Sequence, residues 1–161
     1  MVRKMWKTDP TPYLRKNLEL LRKDRNCQEM TVVDIGCGNG RNTKFLMDNG
    51  FENCRAFDMA DDFGEKMMLG KDIFPVEDNS IDLILANYIL MFLDADERKQ
   101  VIEEVKRMSK VGCYFMIELY PAKDSFTKTK EESLALQKDL FDMLDWEKIR
   151  YSQERFIVLK K

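Results

Sequence analysis

The chain has 161 residues, of which 44% are hydrophobic and 35% are charged, a composition typical of one soluble globular domain. No apolar stretch reaches the roughly 20 residues needed to span a bilayer, and the N-terminus lacks the apolar segment of a secretory signal. The four cysteines lack the spacing of metal ligands, so we expect no metal site, reduced thiols and a cytoplasmic location.

The net charge is only −2, but the charges are unevenly distributed along the chain. Residues 1–25 carry eight Lys or Arg against three Asp or Glu, whereas residues 58–82 carry eight acidic residues against two lysines. The basic segment could face an anionic partner, although a solvated helix face explains it more simply. A chain without global positive charge is poorly suited to gripping duplex nucleic acid.

Helical periodicity and capping residues predict two helices in the first third of the chain. The first begins at Thr11-Pro12 and runs to about Arg25, with leucines at helical spacing on one face. The second follows a glycine-rich segment and ends at Asn49-Gly50, a common C-terminal signal.

Two further helices are predicted behind capping-box signals. Asp94 and Glu97 open the third helix, and we expect Gly112 to close it. Thr129 and Glu132 open the fourth. The inward-facing apolar residues of these two helices are Val101, Val105, Met108, Leu136, Leu140, Phe141 and Leu144.

Short apolar runs between these helices predict strands. They lie at residues 31–35, 54–57, 66–69, 81–86, 114–119, 146–151 and 155–159. The interval 58–67 is too short and too acidic for a full crossover helix. The alternation predicts an α/β, Rossmann-like, doubly wound and mostly parallel seven-stranded sheet with one antiparallel strand near the C-terminus. We expect residues 1–161 to form a single domain, with the N-terminal helical segment 1–28 over the site.

The glycine-rich segment is the most informative part of the chain. Gly36, Gly38 and Gly40 follow an apolar run that contains Asp34, and they precede an amphipathic run. A strand, a loop of bare backbone and a helix N-terminus are how an α/β sheet brings its backbone up to a nucleotide-like ligand. A dinucleotide fingerprint requires its third glycine one residue later, where this chain has Arg41, so the spacing argues against a pyrophosphate ligand.

Three further features follow later strands, and the carboxyl ends of parallel strands share one edge of a sheet. Asp58 could accept hydrogen bonds from both hydroxyls of a ribose. Asp72 could accept one from the amino group of adenine, while the backbone N–H of Ile73 meets the ring. Asn87-Tyr88 would face the reacting end of the ligand.

Each feature also has a plain structural explanation. Some G-x-G-x-G matches are incidental turns, Asp58 could end a strand in solvent, and Asp72 could serve a turn. Tyr88 begins an apolar run, so a core position explains it about as well as a functional one. The register of all the features together is hard to obtain by accident.

The motif Asp-Ile-Gly-Cys-Gly-Asn-Gly-Arg-Asn at residues 34–42, with Asp58, Asp72 and the stretch 82–93, resembles the class I S-adenosylmethionine-dependent methyltransferases. The Gly-Arg-Asn after the loop and the Leu-Met-Phe-Leu run look most like the small tellurite-resistance methyltransferases. The resemblance covers roughly residues 30–120.

The resemblance implies S-adenosylmethionine as the cofactor and S-adenosylhomocysteine as the product. The glycine loop would line the methionine end, and the Asn87 region would contact the methionine amino group through a backbone carbonyl. The implied cofactor-binding residues are Asp34, Gly36, Cys37, Gly38, Asn39, Gly40, Asp58, Met59, Asp72, Ile73 and Asn87. Two departures from the family stand out: the helix after the second strand is nearly absent, and the chain contains no histidine.

The acceptor side is less clearly marked. An acceptor that is already an anion, such as a thiolate, selenide or telluride, needs no base, whereas an alcohol or a protonated amine does. The candidates for a base are Tyr88, Tyr120, Lys123 and Glu118. The aromatic residues that could stabilise the cationic methyl group are Trp6, Tyr13, Tyr88, Tyr120 and Phe126. We expect segments 4–13 and 120–128 to build the acceptor pocket.

These observations predict a compact methyltransferase acting on a small-molecule acceptor, with no membrane association. A non-catalytic cofactor-binding subunit of a larger complex and methylation of a protein acceptor remain alternatives. A nicotinamide-dependent dehydrogenase is a third, and Arg41 argues against it. The sequence does not indicate an oligomeric state.

Overall fold

The computed structural model describes residues 8–119 and 130–161, in which helices and strands alternate. The elements are α1 (Pro12–Arg22), β1 (Thr31–Ile35), α2 (Arg41–Asp48), β2 (Asn53–Asp58), β3 (Glu65–Lys66), β4 (Ile81–Asn87), α3 (Ala95–Met108), β5 (Ser109–Glu118), α4 (Lys130–Leu144), β6 (Glu147–Tyr151) and β7 (Arg155–Leu159). Within these two ranges, no helix has both the length and the apolar character that a membrane crossing requires.

The strands form one seven-stranded sheet in the order β3-β2-β1-β4-β5-β7-β6. Neighbouring strands are parallel except at β7, which runs antiparallel to both β5 and β6. The predicted sheet with one antiparallel strand is therefore confirmed. The order of the strands reverses between β1 and β4, and open α/β sheets bind their ligands at such a reversal, beyond the carboxyl ends of the strands.

The two faces of the sheet are covered by different helices, as in a doubly wound fold. Leu83 and Leu85 of β4 pack with the leucines of α1 and with Leu46 of α2. Ile84 and Ala86 of the same strand pack with the apolar residues of α3 and α4. Successive side chains of a strand point to opposite faces, so β4 contributes to both halves of the core.

The start of α1 is anchored beside the start of α2. The Thr11 side chain caps α1 by accepting a hydrogen bond from the Leu14 backbone at 3.3 Å. The Thr11 backbone N–H donates to Asn42 Oδ1 at 2.9 Å, and Arg41 donates to the Asp9 carbonyl at 3.3 Å. The described part of the N-terminal segment therefore lies next to the glycine loop.

The predicted end of the first helix is wrong by three residues. α1 ends at Arg22, and Asp24 then takes a left-handed conformation with φ +56°. This turn releases Arg25 from the helix, so that its guanidinium hydrogen-bonds the Gly112 carbonyl on β5.

Gly112 does not close the third helix, as the sequence predicted, but lies inside β5. α3 ends at Met108, because Ser109 already has extended dihedral angles. The pairing of β5 with β4 is irregular between Ser109 and Tyr114, and Gly112 takes φ +84° there. A glycine with positive φ serves a bulge in a strand as well as the end of a helix.

The connection after β2 contains no helix among residues 59–64, as the short acidic interval predicted. The third strand is shorter than predicted and begins one residue earlier. It pairs only through Glu65 and Lys66, opposite Phe57 and Asp58. The predicted capping residue Thr129 lies outside the described residues.

Candidate functional site

The glycine loop is tied to the end of β2 by backbone hydrogen bonds. The N–H groups of Gly36 and Cys37 both donate to the Phe57 carbonyl, at 2.7 and 3.1 Å. Gly40 then donates to the Cys37 carbonyl at 2.9 Å and leads into α2. The loop therefore has a fixed shape at the carboxyl end of β1.

Side chains cover two of the three glycines. A Cβ atom at Gly36 would lie 2.6 Å from Ile89, and one at Gly40 would lie 2.3 Å from the Phe63 ring. At Gly38 none of the described residues lies within 4 Å of that position. The backbone of Gly38, with φ +55°, is thus the part of the loop that a ligand can approach most closely.

Asp58 lies at the end of β2 and faces this loop. Its Oδ2 accepts the Gly38 N–H and its Oδ1 accepts the Ala60 N–H, both at 2.9 Å. An ionised carboxylate has about four acceptor positions, so both oxygens retain a lone pair for another donor. The structure brings Asp58 and the glycine loop together, as the sequence spacing indicated.

Asp34 is buried at the centre of the site, where its Oδ2 accepts the Thr43 hydroxyl at 2.7 Å. Burial raises the pKa of Asp34 from 3.8 to about 7, and the nearby Asp58 charge adds to the rise.

Burial also raises the pKa of the Cys37 thiol, to about 12, which excludes a thiolate nucleophile at neutral pH. Asn39, the remaining residue of the loop, accepts the Arg41 N–H at 3.3 Å and so stabilises the turn.

A second group of polar side chains lies at the carboxyl ends of β4 and β5. Asn87 Nδ2 donates to Glu118 Oε2, and the Tyr88 hydroxyl donates to Glu118 Oε1 at 3.3 Å. Arg155, at the start of β7, donates to the same Oε1 from Nε at 3.3 Å. Glu118 is fully buried, so these three donors compensate for the loss of water around its charge.

Tyr88 has an unusual backbone conformation for a tyrosine, with φ +59°. Such a conformation costs about 1–3 kcal/mol and is often retained at functional sites. Burial, together with the Glu118 charge, raises the pKa of Tyr88, and the same two causes raise the pKa of Tyr13 on α1. Neither phenol is therefore activated as a base.

Sequence reasoning did not identify Arg155 as a site residue. It is directly opposite Glu118 in the antiparallel register of β5 and β7, which the sequence alone does not reveal. Phe63, the aromatic ring over Gly40, was also missed; a lone phenylalanine in an acidic turn was the available signal.

The predicted adenine contacts, Asp72 and Ile73, lie in the segment that follows β3, which begins where the Met67 N–H donates to the Asp58 carbonyl at 2.9 Å. Asp72 Oδ2 accepts the Met68 N–H at 2.7 Å, which closes a turn. Ile73 is 73% exposed, and Met59, another predicted cofactor-binding residue, directly follows β2 and is 39% exposed. Their contacts with a ligand stay predictions.

Several residues that the sequence proposed for the acceptor side fall outside the described ranges. These residues are Trp6, Tyr120, Lys123 and Phe126. The same holds for residues 4–7 of the first predicted acceptor segment and for the whole of segment 120–128.

Comparison with known proteins gives consistent matches. Residues 33–117, more than half of the chain, match a family model described as a methyltransferase domain. A probable S-adenosyl-L-methionine-dependent methyltransferase TehB of Haemophilus influenzae is 26% identical over 142 residues, covering 76% of this chain and 48% of that protein. The chain thus spans about half the length of the curated relatives that it matches.

Solved structures of methyltransferases have a similar fold. A SAM-dependent methyltransferase from Aquifex aeolicus superposes with a TM-score of 0.65 at 18% identity, covering 93% of this chain and 92% of the other. TehB from Haemophilus influenzae superposes with a TM-score of 0.61 at 18% identity, covering 81% and 57%. At these identities the two structures establish the fold.

Proposed function

Because this chain belongs to the methyltransferase-domain family, we propose that it transfers the methyl group of S-adenosylmethionine to a small-molecule acceptor. The proposal rests mainly on the contact between the loop after β1 and the end of β2. There the Asp58 carboxylate accepts the Gly38 N–H at 2.9 Å, and no side chain of residues 8–119 or 130–161 covers Gly38. A carboxylate beside an open backbone loop suits a nucleoside with two ribose hydroxyls.

The residues present fit this cofactor. Asp58 has acceptor positions left for the ribose hydroxyls, and Gly38 leaves room for close approach of the methionine arm. Asn87 Oδ1 is buried and has no hydrogen-bond partner among the described residues, so it can accept a donor from a ligand. When bound, the cofactor would supply a methyl group on a positively charged sulfur, which needs no further activation.

The chain's own residues then bind, orient and exclude water. Ile89 over Gly36 and Phe63 over Gly40 border the open position at Gly38 with apolar surface. Correct orientation of two reactants can lower a barrier by about 7–11 kcal/mol. Positioning is therefore the main contribution that we assign to the protein.

The acceptor that fits best is a nucleophile that is already an anion. Glu118 receives three donors, and burial keeps Tyr88 and Tyr13 protonated, so none of these groups is free to remove a proton. A thiolate, selenide or telluride needs no such help.

All four cysteines are free thiols, which supports the proposed cytoplasmic location.

The test is calorimetric titration with S-adenosylhomocysteine. We expect Asp58→Ala to weaken binding about tenfold or more, because it removes a charge-assisted acceptor. Asp61→Ala is the matched control, since Asp61 is an exposed carboxylate of the same acidic segment, and it should bind as the wild type does. Asp58 also holds two backbone N–H groups, so thermal unfolding must show that Asp58→Ala is folded.

No binding to the wild-type protein at millimolar ligand would refute the proposed cofactor. Binding without methyl transfer to a panel of thiols, selenide and telluride would instead favour a non-catalytic subunit. A parallel titration with NAD should show no binding.

A further inference from the structure

The side-chain amide of Asn87 is satisfied on one side only. Its Nδ2 donates to Glu118 Oε2, whereas its Oδ1 is buried without a partner among the described residues. The residue is only 9% exposed, so water compensates little for the missing donor. A buried acceptor without a donor is costly, and such an atom at a strand end often meets a ligand.

Glu118 determines which way this amide points. A carboxylate only accepts hydrogen bonds, so Asn87 must turn its NH2 group toward Glu118 and its oxygen away. Tyr88 and Arg155 both donate to Oε1 at 3.3 Å, which leaves Oε2 for Asn87. Arg155 also forms an ion pair with Glu118 through Nε and Oε1, so a positively charged partner lies beside this fully buried side chain.

Asn87 lies at the edge of the sheet where the proposed ligand would bind. Asn87 is the last residue of β4, which pairs with β1 at the reversal of strand order. Two residues later, Ile89 contacts Gly36 of the glycine loop. Asn87 Oδ1 is therefore an acceptor held close to the loop that would bind the methionine end of the cofactor.

We propose that Glu118, supported by Arg155, is a positioning residue that turns Asn87 Oδ1 toward an N–H donor of the bound ligand. The donor is either the α-ammonium group of the cofactor or an N–H group carried by the acceptor beside its anionic nucleophile. This inference rests on the proposed function and adds a residue pair to it. The Asn87 side chain, rather than its backbone carbonyl alone, then recognises the ligand.

A reciprocal exchange of the two side-chain ends tests the orientation. In Glu118→Gln, the single amide oxygen stays with Tyr88 and Arg155, so the new NH2 group faces Asn87. Asn87 must then turn its oxygen toward Gln and its NH2 toward the ligand, which repels an N–H donor. Adding Asn87→Asp provides oxygens on both sides and restores an acceptor for the ligand. The double variant has the same net charge and nearly the same shape as the wild type.

The affinities for S-adenosylhomocysteine and 5′-methylthioadenosine give the readout. The second compound contains the nucleoside and the sulfur but lacks the amino-acid arm. We expect Glu118→Gln to weaken S-adenosylhomocysteine binding about tenfold or more and to leave 5′-methylthioadenosine binding unchanged. The double variant should bind S-adenosylhomocysteine as the wild type does. Thermal unfolding checks each variant, and Asn53→Asp, an amide-to-carboxylate change at the opposite end of β2, should alter neither affinity.

The outcomes separate the two sources of the N–H donor. The pattern above assigns the donor to the cofactor. Unchanged affinities, together with methyl transfer to amine-bearing thiols that is lost in Glu118→Gln and recovered in the double variant, assign it to the acceptor. Unchanged affinities without this change in transfer overturn the inference, as does a loss that the double variant does not recover. If the wild type binds neither compound, the proposed function itself fails.

Discussion

Asp34 gives this protein a pH dependence that one substitution should remove. The carboxyl group is fully buried, and burial raises its pKa from 3.8 to about 7. A buried acid with a raised pKa is more easily accommodated when neutral. Its contribution to stability is therefore fully present below pH 3.8 and is lost as the pH rises toward about 7, because the native state binds the proton more tightly than the unfolded chain.

The size of the effect follows from the shift. The pKa of Asp34 rises from 3.8 to about 7 on folding. This shift corresponds to a loss of about 4 kcal/mol of unfolding free energy between pH 4 and pH 8. Asp34→Asn keeps the shape and can still accept the Thr43 hydroxyl, but it does not titrate. The stability of Asp34→Asn relative to wild type should therefore increase by about 4 kcal/mol across this pH range.

Urea denaturation at pH 4, 6 and 8 measures this difference directly. At each pH, the unfolding free energy of the variant is compared with that of the wild type, so the contributions of all other titrating groups cancel. Asp82→Asn is the control: burial opposes the shift, but hydrogen bonds from Thr31 and Lys110 lower the pKa of Asp82 below 3.8. Its difference from wild type should be flat above pH 5. Parallel stability curves for Asp34→Asn and wild type would refute the account of Asp34.

Further substitutions test the loop, a helix cap and the core, each by urea denaturation. Gly40→Ala should cost about 1–3 kcal/mol, because the new Cβ would lie 2.3 Å from the Phe63 ring at a positive φ. Gly38→Ala should cost only about 1 kcal/mol, since no atom in the described part of the chain lies within 4 Å of the new Cβ. Asp94→Ala should cost about 1 kcal/mol, as it removes the capping box of α3. Leu140→Ala should cost about 2–5 kcal/mol, because Leu140 is fully buried.

Matched variants keep these results interpretable. Phe63→Ala in the Gly40→Ala background should recover the steric part of the loss. Asp96→Ala, in the first turn of α3 but without a capping role, should cost less than Asp94→Ala. Leu134→Ala, at a residue that is 42% exposed, should change stability much less than Leu140→Ala. Equal losses within a pair would contradict the assigned cause.

Much of the fold could be predicted because apolar alternation and capping residues act locally. The seven strands, the antiparallel β7 and the Asp94–Glu97 capping box are all confirmed. The family resemblance drawn from the glycine loop is confirmed by the match over residues 33–117. Gly112 was misplaced because a positive φ serves a bulge as well as a helix end.

Some residues of the candidate site could also be predicted from local sequence patterns, whereas others could not. Asp58 and Asn87 could be predicted as candidate site residues because each directly follows a predicted strand, and parallel strands place their ends at one edge of the sheet. Arg155 could not be found, because its distance from Glu118 depends on the register of a non-local antiparallel pair. Phe63 reaches Gly40 through an irregular turn that has no periodic pattern.

The position of β7 also orders events during synthesis. β5 pairs with β4 on one side, but its other edge is covered by β7, which the ribosome makes only after the whole of α4 and β6. Until then β5, with its buried Phe115 and Ile117, is an open edge that could pair with another chain. Arg155 arrives with the strand that closes this edge, so protection from misassembly and completion of the Glu118 network occur in one step.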